Sequence, residues 1–163
     1  MTPIRSSGHE ALRESFEDHY GSLVRFCALV SGDENVAEDL AQEAFVRVAE
    51  RIGRGGVVNV GAYVRRTAVN IWKNRLRRAM VERRARARDA ERARADDSPE
   101  DRDALWGALR RLPPGQRACL VLRYYEDLTE RETAEILGCS VGTVKSQTSR
   151  ALTRLRKELS DED

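Results

Sequence analysis

The sequence predicts an all-α protein of two small helical domains joined by a charged linker, in a chain of 163 residues. Three observations carry this. Apolar residues recur at three- and four-residue spacing through each long segment, the period of one helix face. Charged residues make up 34% of the chain against 40% hydrophobic and 6% aromatic, which suits long solvated helices around modest cores. A composition shift at Asp96-Asp97-Ser98-Pro99 separates two amphipathic sets. The expected units are a domain over 10–80, a linker over 81–103 and a second domain over 104–160. Each domain is expected to have its own core.

The elements follow in order. Leu12, Phe16, Tyr20, Leu23, Cys27 and Val30 form the apolar face of a first helix. Ser31-Gly32-Asp33 interrupts it, and Asp33 is a suitable N-cap for the next. Val36, Leu40, Ala44, Val48 and Ile52 stripe a second helix, which Gly53-Arg54-Gly55-Gly56 ends. Val57 to Val60 is apolar but too short to assign as a strand. A third helix is expected from about Gly61 to Arg78, with room to continue into the Arg/Ala-rich segment. Beyond the linker lie three more helical patterns, broken at Leu112-Pro113-Pro114-Gly115 and Asp127-Leu128-Thr129.

Several function classes are excluded early. No apolar run approaches the roughly 20 residues needed to span a bilayer, and the first residues hold no apolar segment of signal-peptide length. The expectation is a cytoplasmic chain with no membrane association. Cys27, Cys119 and Cys139 lie far apart, and His9 and His19 are the two histidines. That pattern suits buried apolar thiols in a reducing compartment better than disulfides or a metal site. No Gly-rich phosphate loop or nucleophile elbow occurs. Neither catalytic residues, nor metal ligands, nor a cofactor are expected.

Charge is segregated along the chain. Residues 61–95 carry 12 basic and 3 acidic side chains, whereas residues 1–60 carry 6 basic and 10 acidic. In the third helix, Val64, Ala68, Ile71, Trp72 and Leu76 share one side, and Arg66, Asn70, Lys73 and Arg77 share the other. Cations hold phosphates, and an Asn amide can both donate to and accept from a base edge. A solvated charged face is the plainer alternative. The one-signed charge, without interleaved glutamates, favours nucleic acid over it. Trp72 belongs to the apolar side, so Tyr63 is the better stacking candidate.

The second half contains a helix-turn-helix pattern. Thr129-Glu130-Arg131-Glu132 fits a capping box. Ala134 permits close helix approach, Gly138 suits a turn with positive φ, and Ser140 is an N-cap for the following helix. Val144 completes the spacing by packing back under the first helix of the pair. The second helix should bury Val144, Thr148, Ala151, Leu152, Leu155 and Leu159. Thr143, Lys145, Ser146, Ser149 and Arg150 remain exposed on its first turns, where a recognition helix meets the major groove.

Together these segments resemble an extracytoplasmic-function (group IV) sigma factor of the sigma-70 family, nearest in character to the actinobacterial SigE-type subfamily. DLAQEAFVRV (39–48), AYVRRTAVNIWKNRLRR (62–78) and LPPGQRACLVLRYYEDLTERETAEILGCSVGTVKSQTSRALTRLR (112–156) carry the likeness. It implies a subunit that binds core RNA polymerase, recognises the minus-thirty-five and minus-ten promoter elements and promotes melting. By position, Asp39, Gln42, Glu43 and Arg47 would face the clamp helices of the polymerase β′ subunit. Tyr63, Arg66, Asn70, Lys73 and Asn74 would face the minus-ten region, with the 53–61 loop shaping a pocket for an extruded base. Thr143, Lys145, Ser146, Ser149 and Arg150 would face the minus-thirty-five element. The implied partners are core polymerase, through the β′ clamp helices and β flap, and promoter DNA, and the family admits an anti-sigma factor. The long acidic first region, the extra middle domain and any appended C-terminal domain of larger members are not expected. A stand-alone helix-turn-helix regulator would account for the second half but leave residues 10–78 without a role. A nucleic-acid enzyme would need a site chemistry that the residues do not offer.

Overall fold

The computed structural model describes residues 4–52, 54, 59–86 and 104–161. The side chain of Leu12, the linker over 87–103 and most of the 53–61 loop lie outside the described residues. Among those described the fold is helical throughout. Helix α1 spans Ile4–Ser31, α2 Glu34–Ile52, α3 Val60–Arg86, α4 Ala104–Arg111 and α5 Pro114–Leu120. A π-helical turn over Val121–Tyr125 leads to α6, Glu130–Leu137, and α7, Val141–Ser160.

The apolar stripes place the core where the periodicity expects it. Leu23, Cys27 and Val30 of α1, Leu40, Ala44 and Val48 of α2, and Val64, Ala68 and Ile71 of α3 are all buried together. Phe16 stacks on Tyr20 with ring centroids 4.5 Å apart and meets Phe45 edge-on at 5.1 Å. Gly32 closes α1 with φ of +69°, a conformation only glycine adopts freely. Asp33 then caps α2, its carboxylate accepting from the Asn35 N–H at 2.9 Å. Helix α3 continues six residues past the expected domain end at 80. Its tail, VERRAR, contains no glycine or proline and is built of helix formers with only Val81 β-branched.

The helix-turn-helix has the local geometry its capping residues dictate. Thr129 accepts from the Glu132 N–H at 3.2 Å, and the Glu132 carboxylate accepts from the Thr129 N–H at 2.8 Å. Gly138 sits at φ +67° and donates to the Ala134 carbonyl at 2.8 Å. Ser140 caps α7 by accepting from the Thr143 N–H at 3.1 Å. Val144 and Ala151 are fully buried, while Thr148, Leu152, Leu155 and Leu159 are half-buried. The π-turn ends with the Glu126 N–H donating to the Val121 carbonyl, and Asp127 follows at φ +52°.

The second half has clusters of its own, around Leu109, Leu112, Leu120 and Ala151 and around Cys119, Ala134 and Val144, but the expectation that each core stands apart is corrected by the structure. Ala118, Val121 and Leu122 of the second half are buried in the same cluster as Leu23, Leu40, Val64 and Val69 of the first. Leu128, Ile136 and Leu137 pack on its edge. The segment ACLVL over 118–122 is apolar on every side, more than one small helical hairpin can cover, so part of it is buried against α1. Polar contacts reinforce the seam. Arg117, only 5% exposed, donates from Nε to the Val30 carbonyl at 3.0 Å and from a terminal nitrogen to the Ser31 carbonyl at 2.7 Å. It also donates to the Leu112 carbonyl at 3.1 Å. Burial pushes the Arg117 guanidinium down to about 10, with nearby Arg110 adding to the effect, so it stays charged at neutral pH. Arg65 of α3 pairs with Glu126 at 3.0 Å.

A shared core has a measurable consequence. Leu122→Ala should cost about 2–5 kcal/mol, the usual range for truncating a buried leucine. Trp72 reports on the first half and Trp106 on the second. Denaturant unfolding followed in single-tryptophan variants should give one transition that moves to lower denaturant for both reporters. A shift seen by Trp106 alone would show that the halves unfold independently.

The capping box predicts a specific acid sensitivity of α6. Hydrogen bonds from the Thr129 backbone and hydroxyl hold the Glu132 carboxyl below its ordinary value of 4.5. A carboxylate favoured in the folded state contributes fully above its unfolded pKa and is lost as pH falls through the lower folded one. Unfolding midpoints should therefore decline below about pH 4.5 in the parent, and less steeply in Glu132→Gln. Identical pH profiles would remove this role for the box.

Candidate nucleic-acid and protein interfaces

Three surfaces hold the residues singled out by the sequence. On α2, Asp39, Gln42 and Arg47 are exposed and Glu43 is half-buried, all outside the buried row of Leu40, Ala44 and Val48. Arg47 donates to Glu43 at 2.6 Å within the helix. Arg75 of α3 reaches across and pairs with both acids, with Asp39 at 2.6 Å and with the second oxygen of Glu43. Burial opposes the charge on Arg75, but the hydrogen bonds to Asp39 and Glu43 outweigh it and hold its pKa above the ordinary value. Sequence reading places Arg75 only within the positive run. Its role as the tie between α2 and α3 depends on helix packing across a separation of 36 residues from Asp39. Val46, 58% exposed beside these residues, gives the surface an apolar contact point.

On α3, Arg66, Asn70, Asn74 and Arg77 are exposed along one side. Tyr63 is half-buried at the helix start and packs against the core edge, its carbonyl accepting from the Thr67 hydroxyl at 2.7 Å. Lys73 departs from the expected open face. It is half-buried, and its ammonium donates to the Leu137 carbonyl at 2.6 Å, the last turn of α6. Burial lowers its pKa, and Arg77 lowers it further, while the Cys139 thiol acts in the opposite direction. A carbonyl at a helix C-terminus carries partial negative charge and attracts a cation, which is the physical reason for the capture. The cationic face of α3 is thus narrower than its sequence suggests. A cleft of about 690 Å³ lies beside it at the seam, lined in part by Asp18, His19, Arg65, Arg66 and Glu126.

On α7, Thr143, Lys145, Ser146, Ser149 and Arg150 are all exposed, as expected for a recognition helix. Ser146 donates to the Thr143 carbonyl at 3.1 Å, and Thr143 shares a hydroxyl contact with Ser140 at 2.9 Å. These local bonds order the small hydroxyls at the helix start. Lys145 lies 3.7 Å from Glu130, a loose and exposed pair. A groove of about 360 Å³ runs from Lys145 and Ser149 to Arg123, Tyr124 and Arg156. Tyr124, 63% exposed, lines this groove and was missed by the sequence reading.

The cysteines fit the description of apolar core thiols at two positions. Cys27 and Cys119 are buried and Cys139 is half-buried, all three unpaired. Burial pushes the Cys27 thiol up to about 12 and that of Cys119 up to about 11. Neither forms an appreciable thiolate at neutral pH. No helix among the described residues is long and apolar enough to cross a membrane.

Comparison with known proteins agrees with this geometry. Residues 15–82 match the family model for sigma-70 region 2, and residues 102–155 match that for sigma-70 region 4. The chain is 38% identical over 148 residues to RNA polymerase sigma-E factor of Streptomyces avermitilis, covering 87% of this chain and 81% of that one. It is 33% identical to ECF RNA polymerase sigma factor SigM of Mycobacterium tuberculosis, covering 91% of this chain and 77% of that one. Among solved structures, the sigma factor RpoE from Bartonella quintana, in complex with the anti-sigma factor NepR, shares the fold. The TM-score is 0.70 at 23% identity, covering 91% of this chain and 96% of that one. Two matched regions in the right order and relatives aligned over most of their length place this chain in the extracytoplasmic-function group of the sigma-70 family of RNA polymerase sigma factors.

Proposed function

We propose that this sigma factor divides its work among three helices and has no catalytic activity of its own. Helix α2 docks on the β′ clamp helices of core polymerase through Asp39, Gln42, Glu43 and Arg47. The exposed side of α3, with Arg66, Asn70 and Asn74, receives the minus-ten strand, and Tyr63 borders the loop that holds an extruded base. The first turns of α7 read the minus-thirty-five duplex through Thr143, Lys145, Ser146, Ser149 and Arg150. The domains assigned to these tasks are 10–80 and 104–160, with 81–103 between them. The second half also meets the β flap, and the chain acts in the cytoplasm beside polymerase. The observation that supports the reading best is the exposed start of α7, capped by Ser140 after the left-handed turn at Gly138.

Lys73 enters this reading with a condition. Its ammonium is held at the Leu137 carbonyl, so turning it toward a phosphate weakens one contact between the halves. Melting requires that bound, unstacked bases recover a cost of a few kcal/mol per extruded base. Arg66 and Asn70 are free of that condition because they already face outward.

Replacing Asp39 and Glu43 by lysine should abolish assembly with core polymerase while the circular-dichroism spectrum stays helical. Core binding equal to the parent would remove α2 from the docking surface.

The DNA-facing helices should separate under mutation. Lys145→Ala and Arg150→Ala should weaken duplex binding and flatten its salt dependence, because each lost phosphate contact releases fewer counterions. Ser146 and Ser149 substitutions should alter sequence preference more than affinity. Asn70→Ala should spare the duplex gel-shift but reduce strand opening, at about 1–3 kcal/mol if one base-edge contact is lost. Permanganate footprinting beside the gel-shift checks this. Equal loss in both assays would contradict the division.

A further inference from the structure

The four charged side chains at the α2–α3 junction have a stoichiometry that a docking surface alone does not explain. Asp39 and Glu43 lie one helical turn apart on α2. Arg75 gives one terminal nitrogen to each of them. Arg47 gives a nitrogen to the other oxygen of Glu43. Both oxygens of Glu43 are therefore engaged by guanidinium groups, and Asp39 has one oxygen engaged. Two carboxylates and two guanidinium groups sum to no net charge, so the acids present little field to an approaching cation.

The junction does not need these pairs to hold together. Leu40, Ala44 and Val48 of α2 are buried against Val64, Ala68 and Ile71 of α3 directly beneath. The side chains of Arg75, Asp39 and Glu43 are 38%, 66% and 30% exposed, and ion pairs this open to water add little to stability. They are, however, within reach of a partner.

We propose that Arg75 is an internal competitor for the polymerase-docking acids: it occupies Asp39 and Glu43 in the free chain, and an arginine from the partner's helical surface displaces it on docking. This rests on the reading of α2 as the polymerase-docking helix. The forked contact that Arg75 makes with two carboxylates is the contact a partner arginine would make from the opposite side. Exchange of one guanidinium for another leaves each carboxylate paired throughout, so neither acid is stranded during docking. The partner class is thus a helix presenting arginine, and Arg75 sets the threshold its affinity must exceed.

The test is the affinity of the full-length chain for core RNA polymerase, measured by titration at low and moderate salt. The variants are Arg75→Gln, Arg75→Lys, Asp39→Asn and the double variant Arg75→Gln/Asp39→Asn. Removing a competitor that makes two exposed pairs should tighten binding by roughly tenfold in Arg75→Gln. Arg75→Lys, which keeps the charge but loses the fork, should fall between. The gain should shrink in the Asp39→Asn background, where one contested carboxylate is gone. Unchanged or weaker binding by a folded Arg75→Gln overturns the proposal and makes Arg75 a neutral pair or a scaffold for the acids. If Arg75→Gln does not fold, Arg75→Lys decides: tighter binding supports competition, and unchanged or weaker binding overturns it. Failure of the parent chain to bind core polymerase is a separate result, which removes the docking reading and this inference with it.

Discussion

The closed form of this molecule depends on one buried arginine. Arg117 stands in an otherwise apolar stretch and enters the seam between the halves, where it meets the last carbonyls of α1. Those carbonyls would otherwise have no intrahelical partner. A cation there satisfies them and complements the negative end of the helix dipole. The guanidinium is desolvated in return, so the contact is stable only while Val30, Ser31 and Leu112 all accept from it. Gly32 belongs to the same arrangement. A Cβ at that position would lie 2.7 Å from the Arg117 guanidinium carbon, so glycine is required by both its positive φ and the close approach.

A second cation repeats the principle in the opposite direction. Arg117 of the second half caps α1 of the first, and Lys73 of the first caps α6 of the second. The two halves thus complete each other's helix ends, while Ala118, Val121 and Leu122 extend the first half's apolar core. Part of the charge that looks available along α3 is committed inside the fold. Arg65 faces Glu126, Arg75 faces Asp39 and Glu43, and Lys73 faces a carbonyl. What remains outward on α3 is a strip through Arg66, Asn70, Asn74 and Arg77, followed by the exposed Arg78, Arg83, Arg84 and Arg86 of its last turns.

This economy bears on function. The α2–α3 junction carries opposite charges within a small volume. Internal pairing keeps those charges satisfied in the free chain, the state from which the proposed exchange of partners would start. The recognition helix α7 is the exception. Its caps are local, and its first-turn hydroxyls are ordered by neighbours three residues away, so its reading surface is formed independently of the seam.

Local features were legible in the sequence because local physics decides them. Helix periodicity, the Asp33 cap, the Thr129–Glu132 box, the Gly138 turn and the exposed start of α7 depend on residues within one or two turns of each other. The family likeness rests on the same segments. Tertiary structure alone decided that the halves share a core and that Lys73, Arg75 and Arg117 act between elements. Those outcomes depend on which helix ends and apolar faces meet, across separations of 36 to 87 residues. Periodicity shows that a face is apolar or cationic, but not which face it meets. An arginine inside the run QRACLVL marks a charge bound for burial, and only packing supplies the carbonyls that receive it.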